Sequence, residues 1–275
     1  MHDNLVPLRG GGGPTVAFAH PSSGLATGFR RLVQHLTGPG PVYAFENLEP
    51  GPADLCSIAA LGTEYWNQLR ACAPGPLVLA GWSFGGPVAL RMAEAAEADG
   101  AEVAHVVLID SGRPDLLAPR AETSVRRLAG LFELDPDSIG GSDLDGDDLD
   151  REQALELVAH LLRATHANDS IEVADLRPFV EVFEWHVAAG RRPWRVPAVR
   201  TPVVLVRARD EPGWHDAPTD LGWSAVLGGP VDTHWTPGTH YDLMSGKNAP
   251  HLAALLNRLL ARVPVTSRKW SDSRD

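Results

Sequence analysis

Apolar positions along the chain fall into two kinds of run that take turns. Residues 15–19 (Thr-Val-Ala-Phe-Ala) form a short, nearly unbroken apolar stretch, as a strand does when both its faces are covered. Phe29, Leu32, Val33 and Leu36 follow at helical spacing, predicting a helix that closes at Gly38-Pro39. The pair of patterns then repeats. Residues 41–45 predict a strand, and Ile58, Leu61, Tyr65 and Leu69 a helix running to Pro74-Gly75. Residues 77–80 give another strand, 86–98 an alanine-rich helix, and 103–109 a further apolar strand. Strand and helix in alternation predict the α/β class: a mostly parallel twisted sheet with helices on both faces.

The rhythm breaks after the strand at 103–109. From 119 to 192 only helical spacing is found: a helix over 154–165, and a second through Leu176, Phe179, Val180, Phe183 and Val187. Both phenylalanines are expected to be buried, on the sheet or along a channel for substrate. Strands resume at 202–206 and 231–235, and a helix over 249–262 closes the chain. No internal repeat is visible. The simplest organisation is one domain over 1–275 with a helical insertion at 119–192, and a chain of this length can bury a substantial core.

Charge narrows the partners. The formal net charge is −11, which argues against nucleic acid and against an anionic membrane surface. The acidity is local: residues 133–152 carry nine acidic side chains and one basic one, a net of −8 out of that −11. Asp143, Asp145, Asp147, Asp148 and Asp150 hint at a calcium loop. However, Gly146 stands at its fourth position rather than the sixth, and no glutamate falls at the twelfth. A solvated loop within the insertion is the expectation. The two cysteines, Cys56 and Cys72, fall in what reads as one helix, too far apart to bridge, and are expected to be reduced. With no apolar leader and no run long enough to span a bilayer, a cytoplasmic location is expected.

The candidate chemistry centres on Gly81-Trp82-Ser83-Phe84-Gly85-Gly86, a G-x-S-x-G pattern between a predicted strand and a predicted helix. A serine at a sharp strand-to-helix turn needs small residues two positions to either side. Gly81 and Gly85 supply them, while Gly86 lets the helix approach the sheet. Such a pattern can recur by chance in a chain with 27 glycines, but the strand before it and the helix after it are the context the motif requires. Ser83 is therefore the candidate nucleophile, and it needs a base.

Eleven histidines compete for that role. His240, in Pro237-Gly238-Thr239-His240-Tyr241, lies between the last predicted strand and the last helix, giving the chain order serine, acid, histidine. His20 also ends a strand, but its early position suits an oxyanion loop better than a base. His35, His105, His160, His166, His186 and His251 lie within predicted elements and are expected to serve packing or the surface. Two aspartates could orient the base: Asp110, ending the strand after the nucleophile helix, and Asp210, ending the strand after the insertion. Both are strand ends of the kind where sites in open α/β sheets gather, and spacing alone does not choose between them.

Taken together, these motifs resemble the type I (terminal) thioesterase domains that end nonribosomal peptide and polyketide assembly lines, within the α/β-hydrolase superfamily. Leu5-Val6-Pro7-Leu8-Arg9 looks like that family's lead-in after a carrier domain. Ala19-His20-Pro21-Ser22-Ser23-Gly24 is similar to its His-Pro-Ala-Gly-Gly loop. Pro41-Val42-Tyr43-Ala44-Phe45 resembles its second strand, and Gly222-Trp223 and the segment around His240 with Met244 its closing motifs. The insertion at 119–192 stands where the family keeps a variable helical lid.

The resemblance implies several site assignments. It favours Asp110 over Asp210 as the acid, through the pattern Leu108-Ile109-Asp110-Ser111, and it implies an oxyanion hole from the backbone N–H groups of Ser22 and Phe84. It implies no metal and no organic cofactor, the substrate arriving on the phosphopantetheine arm of an acyl or peptidyl carrier protein. The expected reaction is release of a peptidyl or polyketidyl chain through an acyl-Ser83 intermediate, by hydrolysis or macrocyclisation.

Two departures leave alternatives open. No carrier domain precedes Met1, so either an excised domain or a free-standing enzyme is expected. Free-standing editing (type II) thioesterases carry a Gly-His-Ser-Met-Gly elbow, whereas Trp82 and Phe84 are of the terminal-domain type and favour product release. A general esterase or lipase on the same fold, and a non-catalytic binding scaffold, are the other readings.

Overall fold

The computed structural model describes residues 4–116, 128, 150–165, 170–211 and 217–264. Within them one sheet has seven strands: β1 (Leu5–Arg9), β2 (Thr15–Ala19), β3 (Val42–Phe45), β4 (Leu77–Trp82), β5 (Val103–Ile109), β6 (Val203–Ala208) and β7 (Asp232–Thr236). Their spatial order is β1-β3-β2-β4-β5-β6-β7. Every neighbouring pair runs parallel except β1 against β3. The mostly parallel α/β sheet expected from the alternating pattern is therefore the one found.

The apolar strand runs are explained by cover on both faces. Val16, Phe18, Val204, Val206 and Ala208 point to the side packed by helices α1 (Thr27–Val33) and α7 (Ala249–Leu260). Their alternates Ala17, Ala19, Val203 and Leu205 point to the side packed by α2 (Ile58–Leu69) and α3 (Gly85–Ala98). With successive side chains on opposite faces, a strand sandwiched this way is apolar at most positions, and its buried polar side chains are bonded: Thr15 Oγ1 donates to the Pro74 carbonyl at 2.6 Å and Arg207 Nη1 to the Pro218 carbonyl at 3.2 Å. A short helix α6 (Ser224–Leu227) lies between β6 and β7.

The insertion contributes α4 (Arg151–Thr165) and α5 (Val173–Arg191), which pack on each other through Ala154, Leu155, Val158 and Leu162 against Leu176 and Val180. The ion pairs Arg151–Glu184 and Arg177–Glu152, at 3.0 and 2.6 Å, bracket that contact at the surface, where such pairs add little stability. The acidic run at 140–148 and His166 lie outside the described residues.

Three expectations need correction. Residues 5–9, expected only as a lead-in, form edge strand β1, antiparallel to β3. Pro7 is tolerated there because an edge strand does not need every N–H. Phe183 is buried, but Phe179 is 41% exposed. It sits one residue, or about 100° of helix rotation, away from the row of Leu176 and Val180 that meets α4. Cys56 and Cys72 flank α2 rather than lying within it, one buried and one exposed, and the two are not joined in a disulfide.

Candidate active site

Register brings the candidate residues to one end of the sheet. Ala19 of β2 is level with Gly81 of β4, and Trp82 of β4 is level with Ile109 of β5. The residues that follow, His20, Ser83 and Asp110, therefore leave neighbouring strands side by side at their carboxyl ends. The Ser83 N–H still donates to the Ile109 carbonyl at 2.9 Å, tying the turn after β4 to the end of β5.

Ser83 has φ +55°, in the left-handed region that a residue with a Cβ enters only under constraint. The constraint is visible in its glycines. A Cβ on Gly81 would lie 1.9 Å from the Gly85 carbonyl oxygen, and one on Gly86 would lie 2.1 Å from Ser111 Oγ. The chain can fold back this tightly only with hydrogen at both places. Ser111 Oγ donates to the Ser83 carbonyl at 2.5 Å, and the buried Trp223 donates its indole N–H to the Ser111 carbonyl at 2.8 Å. Gly222-Trp223 thus braces the elbow from β6's side.

Three of the candidate side chains form one hydrogen-bonded chain. Ser83 Oγ is 3.0 Å from His240 Nε2, and His240 Nδ1 is 2.7 Å from Asp110 Oδ2. A carboxylate accepts, so Nδ1 carries the proton, and the lone pair on Nε2 faces the serine hydroxyl. Asp110 is 1% exposed and also has positive φ, +42°. Its second oxygen accepts from the Ala208 N–H at 2.8 Å, which fixes the carboxylate plane. Burial alone would push the His240 imidazole down. The hydrogen bond and charge of Asp110, with the nearby charge of Glu211, outweigh it and hold the pKa above the ordinary histidine value.

Asp210, the other candidate acid, is not part of this chain. Its carboxylate accepts from the Gly238 N–H at 2.8 Å and its own N–H donates to the Gly238 carbonyl at 3.0 Å. Next to it, Glu211 accepts from the His240 N–H at 2.8 Å. These two acids shape the loop that carries the histidine. Sequence reasoning passed over Glu211, and a single carboxylate in a loop offered it no signal.

The loop after β2 is built around buried imidazoles. His20 is 1% exposed; its Nδ1–H donates to the Pro21 carbonyl at 2.7 Å and its Nε2 accepts from the Tyr65 hydroxyl at 2.6 Å. Burial pushes its pKa down to about 4, the Pro21 hydrogen bond opposing only in part. His186, on α5, is fully buried beside it with ring centroids 4.5 Å apart. Its Nδ1–H donates to the Ser22 carbonyl at 2.9 Å and its Nε2 accepts from the Asn47 amide at 3.0 Å. Burial, followed by the neighbouring His20, also holds His186 well below the ordinary value. The N–H groups of Ser22 and Phe84 have no acceptor among the described residues.

Among the described residues no group of three or more His, Cys, Asp or Glu is placed to hold a metal ion, and no helix is long and apolar enough to cross a membrane. The arrangement can take a proton from Ser83 and hold the resulting imidazolium.

Comparison with known proteins points the same way. The model of the thioesterase domain family matches residues 14–260. The chain is 28% identical over 270 residues to a dimodular nonribosomal peptide synthase of Bacillus subtilis, covering 94% of this chain and 11% of that protein. It is 36% identical over 113 residues to atromentin synthetase of Tapinella panuoides, covering 40% of this chain and 12% of the relative. The chain thus spans about a tenth of the length of these relatives. Among solved structures, the Vlm2 thioesterase domain bound with a dodecadepsipeptide superimposes with TM-score 0.71 at 21% identity, covering 96% of this chain and 99% of that one. The NocB thioesterase domain, in covalent complex with a fluorophosphonate nocardicin G analogue, does so with TM-score 0.67 at 24% identity, covering 94% and 99%. At these identities the structural likeness speaks for the fold.

Proposed function

The chain belongs to the thioesterase domain family, and from that membership we propose that it releases a peptidyl or polyketidyl chain from a carrier protein through an acyl-Ser83 intermediate. The observation that carries this reading is the unbroken path from Ser83 Oγ through His240 to Asp110, at 3.0 and 2.7 Å, across three separate loops. A binding scaffold has no need of it.

In the proposed cycle His240 Nε2 takes the Ser83 proton as Oγ attacks the thioester carbonyl. The N–H groups of Ser22 and Phe84 hold the tetrahedral oxyanion. As that intermediate collapses, the carbon–sulfur bond breaks and His240 returns its proton to the leaving thiol. Asp110 keeps the imidazole in the Nδ1–H tautomer and stabilises its cation. Water, deprotonated by His240, then attacks the acyl-serine to give an acid. An amine or hydroxyl of the chain itself, attacking in its place, gives a ring.

The thiol belongs to the phosphopantetheine arm of an acyl or peptidyl carrier protein, so no cofactor of the chain's own is called for. A carrier partner also goes with a cytoplasmic location. The helices of the 119–192 segment serve as a lid over the acyl group within a single domain, a role favoured by α5 lying against the loop of His20 and Ser22.

Acyl N-acetylcysteamine thioesters and nitrophenyl esters test the reading. Intact-mass detection of an acyl adduct on wild-type Ser83 that is absent in Ser83→Ala, with thioesters turned over in preference to simple esters, is expected. Ester hydrolysis without thioester preference would overturn the assembly-line assignment, and no adduct with any thioester would overturn catalysis.

A further inference from the structure

A lid is ordinarily credited with covering the substrate. Here its second helix reaches further down. His186 leaves α5 and donates from Nδ1 to the Ser22 carbonyl at 2.9 Å, 164 residues away in the chain. We propose that His186 is a positioning residue for the oxyanion hole, acting with His20 to aim the Ser22 N–H, so that the helical insertion helps assemble the catalytic machinery as well as covering it. This rests on the acyl-transfer reading of Ser83.

The constraint lies in the peptide planes on either side of Ser22. The Ser22 N–H shares a rigid trans plane with the Pro21 carbonyl, and the two point in opposite directions. The Pro21 carbonyl is held by two donors, His20 Nδ1–H at 2.7 Å and the Gly24 N–H at 2.9 Å. The next plane along is held through its own carbonyl by His186. With both planes flanking Ser22 pinned, the direction of its N–H is no longer free.

Each imidazole is itself fixed in the tautomer this task requires. His20 Nε2 accepts from Tyr65, and His186 Nε2 accepts from Asn47, so in both rings the proton must sit on Nδ1. The same helix touches the side chain of Phe84, whose backbone supplies the other proposed oxyanion amide. The Phe84 ring lies 5.3 Å from the His186 ring, centroid to centroid, and a Cβ on Gly190 would rest 3.6 Å from it. About one turn of α5, from His186 to Gly190, therefore contacts both donors' residues. Pre-set donors are what make an oxyanion hole effective, because no reorganisation is left for the moment of reaction.

The test uses three substitutions and the N-acetylcysteamine thioester that acylates the wild-type chain. Asn at 186 places an amide nitrogen where Nδ1 stands, Gln places it where Nε2 stands, and Leu removes the donor. His186→Leu and His186→Gln are expected to lose roughly 10²-fold in kcat with KM within about threefold, the signature of a contact made in the transition state. His186→Asn is expected to stay within about fivefold of wild-type kcat, a rescue that packing alone would not give. Should His186→Leu fail to melt cooperatively, the Asn and Gln variants decide, since both keep a polar side chain of similar volume. Equal kcat for these two, or losses confined to KM, overturns the inference. If the wild-type chain forms no acyl-Ser83 adduct, the acyl-transfer reading itself falls and takes this inference with it.

Discussion

His240 Nδ1 meets Asp110 Oδ2 at 2.7 Å, although 130 residues and the whole helical insertion separate them in the chain. Asp210, nearer in sequence, spends its carboxylate on the Gly238 N–H instead. Asp110→Asn should therefore favour the wrong imidazole tautomer and lower kcat by about 10⁴-fold, at little cost to fold. Asp210→Asn retains an oxygen acceptor for Gly238 and should lose less than about tenfold. Steady-state kinetics on both variants check this; the assignment of the acid is wrong if Asp210→Asn alone is crippled.

The same histidine predicts a pH dependence. It must be neutral to act as a base, and its pKa lies above the ordinary 6.5, Asp110 and Glu211 outweighing burial. The rising limb of kcat/KM should have its midpoint above 6.5, because that parameter reports the free enzyme. Glu211→Gln keeps an acceptor for the His240 N–H while removing the charge, so the midpoint should move down. A profile in which the variant's midpoint equals or exceeds that of the wild type would count against Glu211.

How much of this was legible follows from what each feature leaves in a sequence. The elbow was readable because a strained serine needs Gly81 and Gly85 beside it, and sterics write themselves into composition. The parallel strands were readable because cover on both faces leaves 15–19 and 103–109 apolar at every position but Thr15 and His105. β1 was not: an edge strand has one neighbour, contains Pro7, and leaves no apolar run. The choice between Asp110 and Asp210 was closed to spacing, since both end strands of one sheet and only the geometry of the two loops separates them. Helical spacing gives His186 a packing or a surface role without choosing between them, and the fold buries it. Its hydrogen bond to Ser22 joins segments far apart in the chain, and no local pattern encodes such a contact.

The elbow glycines give a stability test. Gly81→Ala would drive a methyl to 1.9 Å from a backbone oxygen, where no flexible neighbour can yield. Gly86→Ala meets Ser111 Oγ, which can move only by giving up its hydrogen bond to the Ser83 carbonyl. Both should destabilise, Gly81→Ala by about 3 kcal/mol or more and Gly86→Ala by less. Gly86→Ala should in addition lower kcat, by loosening the turn that presents Ser83. Denaturant melts rank the two, and a Gly81→Ala protein as stable as wild type would contradict the close approach.

His20 supplies the last expectation, and its sign runs opposite to that of His240. Burial first, opposed in part by the Pro21 hydrogen bond, sets its folded pKa at about 4, below the 6.5 of an unfolded histidine. Above pH 6.5 neither state binds the proton and the group contributes nothing to pH dependence. Between there and pH 4 only the unfolded chain takes it up, so stability drains as the pH falls, by about 2 kcal/mol at pH 5. His240, with its raised pKa, works the other way, but it does so equally in a variant that changes only position 20. His20→Asn keeps a donor for the Pro21 carbonyl and cannot titrate. Unfolding free energies at pH 7.5 and 5 should therefore fall less steeply in His20→Asn than in wild type. Parallel losses in the two proteins would mean that His20 is not the buried neutral imidazole on which the oxyanion loop is built.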